Sequence, residues 1–106
     1  MNFATNSAEL LPESSRALNT AVATLKKYPE MIIGVHGHTD NRGSAKLNKD
    51  LSQRRAESVM RYLKEHGVTN AMTAKGFGKD KPIADNNSEA GRLANRRVSL
   101  RIAGGP

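Results

Sequence analysis

A chain of 106 residues fits one domain and can bury a single core without covalent staples. It has no cysteine, which excludes a disulfide framework and any thiolate metal site, and no run approaches the roughly 18–20 apolar residues of a membrane span. A net charge of +7 and a pI near 10.2 point to an anionic or carboxylate-bearing partner and put nucleic acid among the candidates, although two Phe, two Tyr and no Trp leave few rings for stacking single strands.

No basic-then-apolar secretory signal opens the chain, and Met1 runs straight into Asn2-Phe3-Ala4-Thr5-Asn6. The expectation is a domain, residues 1–106, excised from a larger protein whose anchor or signal lies in flanking sequence. A short strand at Met1–Phe3 is a weak expectation. Pro12 suits a first helical turn, with Glu13 at the positive dipole end. From there Leu11, Leu18, Val22 and Leu25 fall within about 60° on a helical wheel, and Tyr28-Pro29 stops the helix, predicting a helix over 12–27. Met31 to His38, rich in β-branched residues, reads as a strand buried on at least one face. Thr39 to Ser44 is turn-like. A long helix follows from about 45 to His66, with Gly67 placed as its C′ residue. A second strand covers 72–77, and a loop through Pro82 and Asp85–Asn87 leads to one helical turn at 88–94. Last, Val98, Leu100 and Ile102 alternate with Arg97, Ser99 and Arg101, predicting a strand with one apolar and one wet face. The order β-α-β-α-β-(α)-β predicts an α+β fold: a two-layer sandwich, with two main helices on one face of a small mixed sheet.

One residue breaks the core pattern. The long helix carries the apolar stripe Leu47, Leu51, Tyr62, Val59 and Leu63, spread over about 160° of the wheel, and Arg55 falls near its middle. A guanidinium aimed into an apolar stripe is costly unless an acceptor meets it. Either Arg55 snorkels out past Leu51, or it is a fixed cation at the floor of a cleft. Arg54 lies outside the stripe with an easy route to water. Asp40, in the turn before the helix, is the candidate neighbour within salt-bridge reach of Arg55, and an acid and a base so placed could bind a zwitterion.

The run Gly37-His38-Thr39-Asp40-Asn41-Arg42-Gly43-Ser44, then Asn48, then Leu51-Ser52-Gln53-Arg54-Arg55-Ala56-Glu57-Ser58-Val59, closely resembles the central signature of OmpA-like domains. The likeness continues through Gly76-Phe77-Gly78, Lys81-Pro82, Ala84-Asp85-Asn86 and Gly91 to Val98, and Phe3-Ala4-Thr5-Asn6 is similar to that family's first strand and loop. The resemblance covers nearly the whole chain in order. It implies a non-catalytic module that needs no cofactor and binds the peptide stem of peptidoglycan, chiefly at diaminopimelate, anchoring a periplasmic part of an envelope protein to the cell wall. Membrane attachment would come only through other parts of the parent. By position, Asp40 matches the family's carboxylate for the ligand ammonium and Arg55 its arginine for the ligand carboxylate. Thr39, Asn48, Asn6 and Arg96 match positions that line the pocket.

Two rival readings arise from the residues. His36, His38 and Asp40 alternate and would share a face of an extended strand, as in the HxHxDH metal motif of the metallo-β-lactamase fold, which would make a hydrolase. Position 41 is Asn, however, and only His66 remains as a further histidine, so a second metal shell lacks donors. The cluster Arg92, Arg96, Arg97 and Arg101 with Lys75, Lys79 and Lys81 raises nucleic-acid binding, though scattered surface cations are usually a solvated face. No nucleophile–base pair stands out, so an enzyme is not expected.

Overall fold

A computed structural model describes residues 1–105; Pro106, the last residue of the expected 1–106 unit, lies outside the described residues. A 3-10 turn at Pro12–Ser14 leads into helix α1 (Ser15–Lys27), followed by strand β1 (Ile32–Gly37), helix α2 (Ala45–Glu65), strand β2 (Met72–Gly76), helix α3 (Glu89–Asn95) and strand β3 (Val98–Gly104). The sheet order is β2-β1-β3, with β1 parallel to β2 and antiparallel to β3. This is the expected α+β architecture.

The elements end where local chemistry ends them. The Ser44 hydroxyl caps α2 by accepting from the Leu47 amide at 3.1 Å. At its other end Gly67 takes φ +89°, and the amides of Gly67 and Val68 return to the carbonyls of Lys64 and Leu63. That is a Schellman closure, and Val68 and Leu63 both join the core beside it. Asn70 then donates to the carbonyls of Tyr28 and Met31, 2.9 Å each, tying the α2–β2 turn to the end of α1.

Leu18 and Leu25 of α1 meet Ile33 and Val35 of β1 and Ala56, Val59 and Leu63 of α2 in one cluster, with Phe3, Val68 and Val98 completing it. The α2 helix lies close on β1 because position 37 is glycine: a Cβ there would land on the Ser52 carbonyl. That approach fixes the relation between the end of β1, which leads to Asp40, and the middle of α2, which carries Arg55.

Three expectations need correction. Leu47 does not belong to the core: it is 68% exposed, because the first turn of α2 projects past the end of the sheet. The apolar side of β3 fades along its length, from a buried Val98 through a half-buried Leu100 to Ile102, 69% exposed; β3 runs beyond the helix that covers its start. Residues 1–3 form no strand of the three-stranded sheet but a single bridge between Asn2 and Arg97. Hydrogen bonds from the Phe3 amide to the Arg96 carbonyl and from the Val98 amide to the Met1 carbonyl nevertheless fix that segment, and Phe3 is fully buried.

Candidate functional site

The loop after β1, the first turns of α2, the N-terminal loop and the end of α3 converge on one cleft. Thr5, Asn6, Thr39, Asp40, Arg42, Asn48, Leu51, Arg55 and Arg96 line it. All six residues singled out from the sequence, Asp40, Arg55, Thr39, Asn48, Asn6 and Arg96, are therefore brought together. The enclosed floor is only about 10 Å³, room for about one water molecule. It adjoins an open groove of about 340 Å³ along Asn6, Arg42, Gly43, Leu47, Asn48, Leu51 and Arg54.

Arg55 is fully buried, which removes the snorkelling reading. Its partners are not the expected carboxylate. The Nε donates to the Ser7 carbonyl at 2.8 Å, Nη1 to the His38 carbonyl at 3.0 Å and Nη2 to the Ala4 carbonyl at 2.8 Å. Its carbon sits 5.2 Å from the centre of the Phe3 ring. Carbonyls satisfy donors but carry no net charge, so burial lowers the Arg55 pKa to about 10, with the nearby Asp40 carboxylate opposing that shift. The group remains a cation at neutral pH, and three of its five N–H groups are used. Arg54, by contrast, is exposed and pairs with Asp50.

Asp40 is buried and pairs with Arg96, not Arg55. Its Oδ2 accepts from Arg96 Nη1 at 3.0 Å, and its Oδ1 accepts from the Arg42 amide at 3.0 Å. Arg96 is itself buried and forked: Nε reaches the Phe3 carbonyl at 2.9 Å and Nη2 the Glu89 carboxylate at 2.6 Å. Burial alone would lower the Arg96 pKa, but the hydrogen bonds it donates to Glu89 and Asp40 outweigh it and raise the value. The same contacts, with Arg92, hold Glu89 below the ordinary carboxylate value.

The remaining wall is buried and hydrogen-bonded on one side and exposed on the other. Thr39 is buried, with its amide on the Gly78 carbonyl and its hydroxyl on the Asp40 carbonyl, 2.9 Å each. Asn48 is buried and donates to the Arg42 carbonyl at 2.8 Å. Asn6 is exposed at the rim with φ 55°, a left-handed conformation that asparagine tolerates better than most residues. Since Arg55 holds the carbonyls of Ala4 and Ser7, it clamps both ends of the turn that presents Asn6.

Arg42, Leu51, Thr5 and Glu89 are participants that the sequence reading did not assign. Arg42 lay within the signature run and could have been picked. Glu89 could not, because its link to Arg96 exists only once α3 closes the seven-residue gap between them.

The rival constellations come apart. The His36 and His38 rings turn to Phe77, at 4.9 Å edge-on and 5.4 Å stacked, while Asp40 turns to Arg96. Among the described residues no three His, Asp or Glu side chains are grouped to hold a metal ion. Of the basic cluster, Arg92 pairs with Glu89, and Arg96 is withdrawn into the cleft.

A mixed three-stranded sheet carries two helices on one face and a buried, charge-lined cleft at the β1–α2 turn, the architecture of a small α+β module with one candidate binding site. Residues 2–96 match the OmpA family model, and the chain belongs to the OmpA family. It is 40% identical over 92 residues to outer membrane porin F of Pseudomonas fluorescens, covering 86% of this chain and 28% of the porin. It is 38% identical over 100 residues to the peptidoglycan-associated lipoprotein of Pseudomonas aeruginosa, covering 93% of this chain and 59% of the lipoprotein. The crystal structure of the peptidoglycan-associated lipoprotein from Burkholderia pseudomallei superposes with a TM-score of 0.86 at 36% identity, covering 93% of this chain and 85% of that one. The chain thus spans less than two thirds of the length of these two curated relatives.

Proposed function

We propose that this domain binds peptidoglycan non-covalently through the diaminopimelate residue of the stem peptide, and so anchors a larger envelope protein to the cell wall from the periplasmic side. Family membership and the name of the lipoprotein relatives support the polymer. The observation that carries the finer reading is Arg55: a fully buried cation with carbonyl partners only, next to a carboxylate already engaged elsewhere. A buried charge without a counter-charge is costly, and a ligand carboxylate would supply the missing one through the two N–H groups still free. Asp40 has used two of its roughly four lone-pair positions, leaving room for a ligand ammonium. With Glu89 included, the cleft sets the guanidiniums of Arg42, Arg55 and Arg96 against two carboxylates, so the ligand carboxylate is the more strongly recognised end.

The enclosed floor is too small for the end of an amino acid, so the ligand enters from the open groove, and the exposed Asn6 and Arg42 side chains move aside to admit it. Binding needs no cofactor and no catalytic group, and the domain acts as a tether, not an enzyme. Permanent anchorage in the membrane would come through other parts of the parent protein.

The test is co-sedimentation of the purified domain with cell-wall sacculi. The domain is expected in the pellet, and prior digestion of the stem peptides should release it. Retention on sacculi stripped of peptide would overturn the reading in favour of the glycan or of plain charge attraction.

A further inference from the structure

The sheet face turned away from the helices has a chemistry of its own. The register sets Gly34 between Thr73 and Arg101, and His36 between Lys75 and Ser99. Alternate residues share a face, so these side chains lie together on the side opposite Ile33 and Val35, which meet the helices. Phe77 continues β2 on the same side, against both His36 and His38. The ammonium groups of Lys75 and Lys81 each lie 5.0 Å from the centre of its ring, and Arg97 joins them by donating to the Lys81 carbonyl at 3.1 Å.

Four fixed cations, Lys75, Lys81, Arg97 and Arg101, thus border one uncovered surface. Lys75, Lys81 and Arg101 are exposed and Arg97 is half-buried. Among the described residues none of the four is in salt-bridge contact with a carboxylate; the ion pairs of the domain lie elsewhere. The histidines record the same field. Burial, then Arg101, Lys75 and Lys81, all lower the pKa of His36, and no acidic group opposes them.

We propose that this face docks the domain on the surface of an anionic lipid bilayer, separately from the cleft and in addition to any tether elsewhere in the parent protein. The shape selects a flat partner. Strands about 4.8 Å apart, rising about 3.4 Å per residue, spread the cations over a patch on the order of 10 by 13 Å, with the small residues Gly34, Thr73 and Ser99 between them. Clusters of at least four Lys and Arg are the common footprint for anionic headgroups. Nucleic acid fits less well. No helix or ribbon stands out from the face to enter a groove, and Phe77 lies under two lysines and against two histidines, leaving no free ring for base stacking.

The experiment is co-sedimentation with vesicles, comparing pure phosphatidylcholine with phosphatidylcholine mixed with phosphatidylglycerol. The domain is expected to bind only the mixed vesicles and to be released by salt. The double variant Lys75→Gln/Arg101→Gln should bind them about 25-fold more weakly, about fivefold for each cation lost, while sacculus binding stays unchanged. Since neither residue lines the cleft, loss of vesicle binding with retained sacculus binding separates this inference from the cleft reading. Failure of the wild-type domain to bind the mixed vesicles at low salt, or equal binding by the variant, would overturn it. Displacement from vesicles by duplex DNA at lower charge concentration would overturn it in favour of a nucleic-acid surface.

Discussion

The Asp40 carboxylate and the Arg96 guanidinium lie 3.0 Å apart with side chains 6% and 5% exposed, a pair withdrawn from water on both sides. Neither depends on the other equally. Arg96 also reaches Glu89 and the Phe3 carbonyl, whereas Asp40 has only Arg96 and the Arg42 amide.

From this asymmetry, Arg96→Ala is expected to destabilise the domain more than Asp40→Ala. Removing Arg96 strands a buried carboxylate and takes the side-chain donor from the buried Phe3 carbonyl, at a cost of about 3–5 kcal/mol. Removing Asp40 leaves Arg96 with Glu89, and the loss should be nearer 1–3 kcal/mol. Urea unfolding at neutral pH measures both. Equal losses would mean that Glu89, exposed as it is, does not hold Arg96.

Arg55→Ala should abolish sacculus binding and also lower stability by about 3 kcal/mol or more, because it takes the donor from the Ser7 and His38 carbonyls and leaves the Ala4 carbonyl only the Ser7 amide at 3.3 Å. Sequence reasoning alone would treat the two effects as separable; the clamp on residues 4–7 makes them one. Arg55→Lys keeps the charge but cannot span three carbonyls with a single ammonium. It should fold better than the alanine variant and still bind poorly. Arg54→Ala, whose side chain pairs only with exposed Asp50, should bind sacculi like the wild type. Binding by all three variants at wild-type level would make the basic surface, and not the cleft, the binder.

The periodicity of α2 identified Arg55 as misplaced, since a cation in the middle of an apolar stripe needs an explanation whatever the fold. It could not name the partners. Backbone carbonyls have no sequence signature, and the two that matter most come from residues 4 and 7, some fifty positions away. Leu47 failed for the complementary reason: the wheel knows the face of a helix but not where the sheet beneath it ends. The α1, β1 and α2 spans were legible because period, caps and breakers agree there. The N-terminal segment was not, because three residues carry too little pattern to reveal that Phe3 closes the core. Asp40 was legible as a candidate site carboxylate, but its pairing with Arg96 depends on the docking of α3.

His38 gives the domain an acid-sensitive element. Burial above all, then Arg97, His36, Lys81 and Arg101, push its pKa down to about 4 from an ordinary 6.5, and its Nδ1 is buried without a partner. The unfolded chain therefore binds a proton between pH 6.5 and 4 that the folded chain refuses. Stability from this group is fully present above pH 6.5 and is lost as pH falls toward 4, about 3 kcal/mol in all. Unfolding measured at pH 7 and at pH 4.5 should show a steeper loss for the wild type than for His38→Gln. Parallel losses would mean that the carboxylates account for the whole acid response.

The sharpest prediction concerns which end of the ligand the cleft reads. Diaminopimelate presents an ammonium and a carboxylate on one carbon; lysine, in a lysine-type stem, offers the ammonium without that carboxylate. In this cleft the ammonium must share Asp40 with Arg96, which already neutralises it, whereas the carboxylate meets Arg55, a cation that no side-chain carboxylate contacts. Loss of one partner of a buried charge-assisted contact typically costs about 2–5 kcal/mol of binding, roughly 30-fold or more, and sites that hydrogen-bond a group discriminate best against analogues lacking it. A soluble stem tetrapeptide bearing diaminopimelate should therefore displace the domain from sacculi, the same peptide bearing lysine at that position should need at least about 30-fold higher concentration, and glycan strands without peptide should not compete. Because the discrimination rests on the carboxylate, Arg55→Lys should narrow the gap between the two peptides, while Arg54→Ala leaves it intact. Equal competition by the lysine and diaminopimelate peptides in the wild type would show that Arg55 holds residues 4–7 in place and does not read the ligand carboxylate.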